Sequence, residues 1–344
     1  MINIGLAGCG YWGPNLLRNF SICPNCKVKA VADIDDKNLK YVTDKYPKII
    51  TTNSYKELLK SGIDAVVLAT PARTHFSLAK EALLRNKHVL VEKPLAMSVK
   101  EGKALINLAD KRGLCLMAGH TFEYNAAVRE LKKQLDSGAA GKPYYFYSQR
   151  LNFGIVREDI NALWNLAPHD ISILIYLIGK MPLNVSCKGY AFIQEKIEDV
   201  VFMSLTFPDN IAAHIQVSWL DPNKVRRLTV VGSEKMIVYD DVADSKIQIF
   251  DKGIKRRNIK DSLGAYDDFG KYQLIKHAGD VIFPQINFAE PLKEECQEFV
   301  DSIFEKRKPL TDGENGLRVV KVLEAAQKSI EKNGKSVSIP GTRT

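Results

Sequence analysis

The chain lacks any long apolar run. Its longest strongly apolar stretch, residues 171–178, falls far short of the roughly 20 residues that a membrane-spanning helix needs. Internal repeats and low-complexity tracts are absent, which sets aside repeat and fibrous architectures. Cysteine is sparse and scattered, at Cys9, Cys23, Cys26, Cys115, Cys187 and Cys296. Cys23-Pro24-Asn25-Cys26 has the spacing of a redox or zinc pair, but no second pair stands at finger spacing. A turn with two free thiols is expected, and no metal site. The N-terminus shows no secretory pattern, so a reducing, cytoplasmic setting is expected. No aromatic residue is interleaved with the densest basic cluster, residues 252–260, which reads as a solvated surface loop. Neither nucleic acid nor membrane is therefore an expected partner. The net charge of +9 favours an acidic small molecule, and 344 residues are enough for about two domains.

What the chain does have stands at its start. Ile2, Ile4 and Leu6 read as a buried strand, followed by Gly8, Gly10 and Gly13 as Gly-x-Gly-x-x-Gly where the strand gives way to a helix. Gly8 allows the tight turn, Gly10 lets a pyrophosphate approach the backbone, and Gly13 lets the helix close on the strand. The helix N-terminus then turns its free N–H groups and positive dipole end towards the phosphates. Asp33 ends the next apolar run, at the spacing of the acidic residue that binds ribose hydroxyls. Its carboxylate would repel a 2′-phosphate, so NAD rather than NADP is expected, although Lys37 stands near enough to soften the repulsion.

Helices over 36–45, 54–60, 74–85 and 98–112 alternate with strands over 64–69, 88–92 and 114–118. That rhythm predicts an α/β fold, a Rossmann doubly wound parallel sheet, over residues 1–120. It changes near residue 120. A helix over 123–137 leads to an aromatic strand over 143–151. After a helical insert come strand-like runs over 184–192, 199–207, 211–219, 226–231, 236–239 and 246–250, and then helices over 291–306 and 315–332. Residues 121–344 therefore read as an α+β domain with a large, mostly antiparallel sheet, serving substrate binding and oligomerisation. The run 211–219 has apolar residues on both parities, so its outer face needs cover, and a homodimer or homotetramer is expected.

Three constellations could do chemistry. Thr70-Pro71-Ala72-Arg73-Thr74-His75 lies at the carboxyl end of a buried strand, where doubly wound sheets bind ligands. Thr70 and Pro71 are placed to pack along a cofactor. His75 either caps the following helix or touches the nicotinamide side. Glu92-Lys93-Pro94 ends another strand on the same rim, and its lysine either stabilises a developing alkoxide or is a surface residue on a turn. Asn165 and His169 open an apolar helix four residues apart, on one face. His169 is either a proton acceptor near neutral pH or a satisfied core histidine.

The order of Gly8-Cys-Gly-Tyr-Trp-Gly13, Thr70-Pro71 with His75, Glu92-Lys93-Pro94, Gly119-His120 and Asn165…His169 resembles that of the Gfo/Idh/MocA oxidoreductases. The likeness covers nearly the whole chain, and Glu-Lys-Pro is its most specific mark. It is strongest to members acting on nucleotide-linked sugars, through Arg150–Gly154, Arg157–Asn161, Trp164–Asp170 and Gly279-Asp280…Pro284…Glu290-Pro291-Leu292. The resemblance implies NAD held by Gly8, Gly10, Tyr11, Trp12, Gly13, Asp33, Ile34, Thr70, Pro71, His75, Glu92 and Lys93. It implies a nucleotide-sugar substrate met by Lys93, His120, Tyr124, Arg150, Arg157, Asn165 and His169, with Lys93, His169 and Asn165 as the catalytic set. It also implies a cis bond between Lys93 and Pro94. Many members carry Asp where this chain has Asn165; an amide cannot serve as a base, so Asn165 is left to orient by hydrogen bonding. Arg150 and Arg157 are candidates for a diphosphate or carboxylate, with a solvent salt bridge as the equal rival for each. The expected activity is oxidation of a ring hydroxyl, at C3, of a sugar such as UDP-GlcNAc or UDP-GlcNAcA. The alternatives are a 3-ketosugar reductase, a free sugar or inositol dehydrogenase, or a catalytically silent NAD(H)-binding sensor.

Overall fold

Strands buried on both faces organise the first half of the chain. The computed structural model describes residues 1–258 and 272–341, with backbone alone between 255 and 276. β1 (Ile2–Ala7), α1 (Gly13–Ile22), β2 (Cys26–Ala32), α2 (Asp36–Lys45), β3 (Ile50–Thr52), α3 (Tyr55–Lys60), β4 (Ala65–Leu68), α4 (His75–Leu84), β5 (His88–Glu92), α5 (Val99–Arg112) and β6 (Leu116–Gly119) follow in turn. The six strands are parallel, in the order β3-β2-β1-β4-β5-β6. Every residue of β4 and of β6 is buried, as expected for a sheet covered on both sides. On one face Ile4, Leu6, Val31 and Val67 pack with Leu16, Leu17 and Phe20 of α1 and Val42 of α2. On the other, Ala7, Val66, Leu68 and Val91 meet Leu58, Leu83, Leu105 and Ala109 from α3, α4 and α5.

The remaining elements are α6 (Ala126–Asp136), β7 (Pro143–Leu151), α7 (Ala162–Ile178), β8 (Asn184–Tyr190), β9 (Val200–Thr206), β10 (Ala212–Ser218), β11 (Val225–Gly232), β12 (Met236–Asp240), β13 (Ile247–Asn258), β14 (Tyr272–Ile282), α8 (Pro291–Phe304), α9 (Gly313–Glu331) and β15 (Val337–Ser338). Nine strands form a second sheet in the order β14-β13-β12-β11-β7-β10-β9-β8-β15, antiparallel except for the β7–β10 pair. One face carries the apolar helix α7. Ile171, Leu174 and Ile175 of that helix share a core with Phe146, Met203, Ile215, Val217, Leu228 and Val230.

The closing helices return to the first sheet. Leu292, Cys296, Phe299 and Val300 of α8 join the α1 side, whereas Leu317 and Val320 of α9 join the opposite side. Val319, Val322, Leu323 and Ala326 of α9 also enter the core under the second sheet, so this helix is shared by both halves. A division at residue 120 therefore separates the strands by sheet but cuts through packed helices.

Several local expectations need revision. The helix expected over 123–137 begins at Ala126, because the Asn125 side chain accepts from Ala127 N and Val128 N and so caps it there. β3, β14 and β15 lie outside the strand-like runs read from the sequence. Residues 252–258 continue β13 rather than forming a loop, and residues 259–260 of that basic cluster lie outside the described residues. The inner parity of β10 (Ala213, Ile215, Val217) is buried as expected. Its outer parity is Ala212, His214 and Gln216, so apolar surface on that face comes instead from neighbours such as Tyr145 and Phe202.

The glycine turn shows how closely strand and helix meet. Gly8 has φ +90°, and a Cβ there would lie 2.6 Å from the Ala69 carbonyl oxygen. A Cβ at Gly13 would lie 2.3 Å from the Gly8 carbonyl oxygen, while one at Gly10 meets open space. Backbone atoms cannot step aside, so Gly13→Ala should destabilise the protein by about 1–3 kcal/mol. Gly10→Ala should leave Tm unchanged and weaken NAD binding. Thermal unfolding and NAD titration of both variants check this; an unchanged Tm for Gly13→Ala contradicts the packing described.

Candidate active site

The carboxyl ends of β1, β2, β4 and β5 and the start of α7 define the site. Trp12 precedes α1 and gives it no side-chain cap, and Pro14 occupies its first turn, so free N–H groups face the open space over Gly10. At the end of β2, Asp33 Oδ2 accepts from Cys9 N at 2.5 Å and Oδ1 accepts from Asp35 N at 2.9 Å, which fixes the carboxylate beside the glycine turn. Tyr11 and Ile34 are strongly exposed around it, an apolar rim with nothing packed on it. Space for a pyrophosphate, a carboxylate beside it and an apolar rim fit a dinucleotide. Thr70 and Pro71 leave β4 on the same rim. His75 does not face it: its Nδ1 bonds Pro94 O and its Nε2 bonds Thr70 O, both at 2.8 Å, in a buried tie between two loops.

Glu92 and Lys93 end β5, and the Lys93–Pro94 bond is cis. Glu92 Oε1 accepts from Trp12 Nε1 at 2.6 Å, joining the glycine turn to β5. Lys93 Nζ donates to the backbone carbonyl of Asn165 at 2.9 Å. Asn161 caps α7 through Trp164 N, and Pro168 inside the helix removes the donor to the carbonyl of Trp164 and crowds that turn. The next carbonyl, that of Asn165, meets the lysine. The Asn165 amide oxygen accepts from Trp219 Nε1 at 3.4 Å, with no hydrogen bond to His169.

His169, one turn further along α7, has a buried Nδ1 without a hydrogen-bond partner, and its ring lies edge-on to Phe122 with centroids 5.1 Å apart. Burial, followed by the charges of Lys93, Arg150 and Arg226, holds its pKa well below the ordinary histidine value. Burial also lowers Lys93 to about 8, against the pull of Glu92. Glu92 is pushed up to about 7 by burial, with Lys93 and the Trp12 bond opposing the rise. At neutral pH the site thus holds a neutral imidazole beside a protonated lysine.

The other expected contacts separate into two groups. His120 is buried close to Lys93: its Nδ1 bonds Asn315 Oδ1 at 2.7 Å, its Nε2 has no partner, and burial lowers it to about 4. Arg150 is buried, with Nε and Nη2 on Asp170 and its guanidinium 4.6 Å from the Phe122 ring centroid. Arg157 forks onto Asp159 through Nε and Nη2. Neither alternative foreseen for Arg150 describes a buried ion pair. Tyr124 turns away from the cleft altogether, its hydroxyl 3.0 Å from that of Thr311 within the core.

Sequence reasoning missed two buried acidic groups, Glu123 and Glu295. Asn315 Nδ2 donates to both oxygens of Glu123, at 3.1 Å each, and burial raises Glu123 to about 8. Glu295 of α8 accepts from Thr121 Oγ1 at 2.7 Å. Its other oxygen has no partner, and burial together with Glu92 and Glu123 raises it well above the carboxylate range. The signal for Glu295 was there: it lies on the stripe Leu292, Cys296, Phe299 and Ile303, where an apolar residue belongs.

Comparison with known proteins places this geometry. Residues 2–120 match the NAD-binding Rossmann fold of the oxidoreductase family Gfo/Idh/MocA, and residues 128–238 match the Gfo/Idh/MocA C-terminal domain. Among relatives, the uncharacterized oxidoreductase YrbE of Bacillus subtilis (strain 168) is 24% identical over 98% of this chain and 96% of its own. UDP-N-acetylglucosamine 3-dehydrogenase of Acidithiobacillus ferrooxidans is 28% identical over 57% of this chain and 61% of its own length. The crystal structure of the WlbA dehydrogenase from Bordetella pertussis, in complex with NADH and UDP-GlcNAcA, has the same fold. It superposes with a TM-score of 0.78 over 98% of this chain and 99% of that one, at 21% identity. With both of its halves matched and a cis Lys93–Pro94 bond at the end of β5, the chain belongs to the Gfo/Idh/MocA family of NAD-binding oxidoreductases.

Proposed function

We propose that this oxidoreductase removes a hydride from a ring carbon, C3, of a nucleotide-linked sugar such as UDP-N-acetylglucosamine or its uronate. The observation that carries the proposal is Lys93, fixed on the Asn165 carbonyl, together with His169 on the same helix, whose buried Nδ1 has no hydrogen-bond partner. When bound, NAD supplies the hydride acceptor. The chain's own residues do the rest. His169, kept neutral by its surroundings, accepts the hydroxyl proton, and the Lys93 ammonium stabilises the oxygen as negative charge builds. Asn165 acts through its backbone carbonyl, which aims the lysine. Asp33 favours NAD over NADP by repelling a 2′-phosphate. The nine-stranded sheet and α7 carry the substrate side, and the six cysteines, all free, suit a reducing cytoplasm.

We further propose a homodimer or homotetramer through the outer face of the second sheet, where Tyr145, Phe202 and Tyr190 are exposed. Light scattering at micromolar concentration should give twice or four times the 38.5 kDa chain mass; a monomer excludes this.

Turnover of UDP-N-acetylglucosamine, its uronate and inositol, followed as NADH formation, tests the main proposal. Lys93→Ala should lower kcat by about 10²–10³, and His169→Ala by about 10²–10⁴. Both variants should still bind NAD. Asn165→Ala, which keeps the carbonyl, should lose far less. The charged form of Lys93 is the one required, so activity should fall as pH rises through about 8. Glu92 raises the lysine's pKa, so Glu92→Gln should move that fall to lower pH. Near-normal turnover by Lys93→Ala would favour a silent NAD(H)-binding protein instead.

A further inference from the structure

The sequence points to Arg150 and Arg157 as anion ligands, yet each has already committed its guanidinium fork to a carboxylate of this chain. Arg150 sits on Asp170 with 7% of its side chain exposed, and Arg157 sits on Asp159. A third arginine shares their surroundings. In the antiparallel β7–β11 pair Arg226 stands directly opposite Arg150. Residues so paired project from the same face, and Arg150 meets Asp170 of α7 on that face. Leu228 and Val230, on the same parity of β11, are buried in the core beneath α7. Arg226 comes at the open end of this row, 38% exposed. Among the described residues its guanidinium makes one contact, from Nη1 to Asp241 Oδ2 at 3.3 Å, and Asp241 is also held by Tyr239 Oη at 3.0 Å. Of five guanidinium N–H groups, most remain free for a ligand. The charge also reaches the catalytic end of the cleft, being one of the cations that act on His169.

We infer that Arg226 is the residue that binds an anionic oxygen group of the substrate, a phosphate or a carboxylate, while the sugar ring lies at Lys93 and His169. This deepens the dehydrogenase proposal and rests on it. The planar fork suits two oxygens of one phosphate or carboxylate, and Asp241 holds the side chain in place without using up the fork. Arg150, buried and paired, shapes the floor of the cleft.

The test compares wild type, Arg226→Gln and Arg226→Lys on three substrates: UDP-N-acetylglucosamine (phosphates, no carboxylate), glucuronate (carboxylate, no phosphate) and myo-inositol (neutral). Arg226→Gln should raise KM for the substrate carrying the recognised anion by about 10- to 100-fold, with kcat within threefold. Arg226→Lys should recover part of that loss, and inositol should be unaffected. A rise confined to the nucleotide sugar assigns the phosphate; one confined to glucuronate assigns the carboxylate. Unchanged KM for both anions, or an equal loss for inositol, overturns the inference. If the wild type oxidises none of these sugars, the dehydrogenase proposal falls, and calorimetric binding of UDP-N-acetylglucosamine decides this one separately. Weaker binding by Arg226→Gln upholds it, and equal binding overturns it.

Discussion

The hydrogen bond from Lys93 Nζ to the Asn165 carbonyl, 2.9 Å long, is the constraint on which the site depends. It joins the end of the first sheet to the helix that lies on the second, and it places an ammonium group where little water reaches. Taking a cation out of water is costly unless polar partners compensate. The compensation here comes from a helix carbonyl and from Glu92, the preceding residue. Pro168, inside the same helix, costs it the hydrogen bond to the carbonyl of Trp164. Asp170 of the same helix pairs with Arg150 of β7, so that cation, which acts on the lysine, is not left unpaired.

The chain also buries three carboxyls, Glu92, Glu123 and Glu295, and the first two both act on the third. Burial raises Glu92 to about 7 and Glu123 to about 8, and burial together with those two lifts Glu295 well above the carboxylate range. Burial thus favours the protonated form of all three carboxyls. Trp12 ties one of them, Glu92, to the glycine turn. Cofactor loop, lysine and α8 are in this way parts of one electrostatic unit.

Much of the first half was legible because its signals are local. The glycine spacing, the alternation of apolar runs with helical segments and the position of Asp33 each reflect a backbone requirement met within a few residues. Lys93 was legible as a residue type just past a strand end, and His169 as one within an apolar helix. Their mutual arrangement was not, since it rests on the Asn165 backbone carbonyl, which no side-chain pattern reports. Arg150 was misplaced because its partner, Asp170, lies 20 residues away on another element. Tyr124 and His75 failed as contacts for the same reason: Thr311 and Pro94 claim their polar atoms across the fold. The short strands β3 and β15 have too few residues to show a period, and they exist only because neighbouring strands offer them an edge.

The central claim, that hydride leaves a ring carbon held between Lys93 and His169, is tested most directly by isotope transfer. UDP-N-acetylglucosamine carrying deuterium at C3 should give reduced cofactor that contains the deuterium, together with a 3-keto sugar nucleotide, both visible by mass spectrometry. Reduced cofactor without deuterium, or label retained on the sugar while cofactor is reduced, would contradict the account.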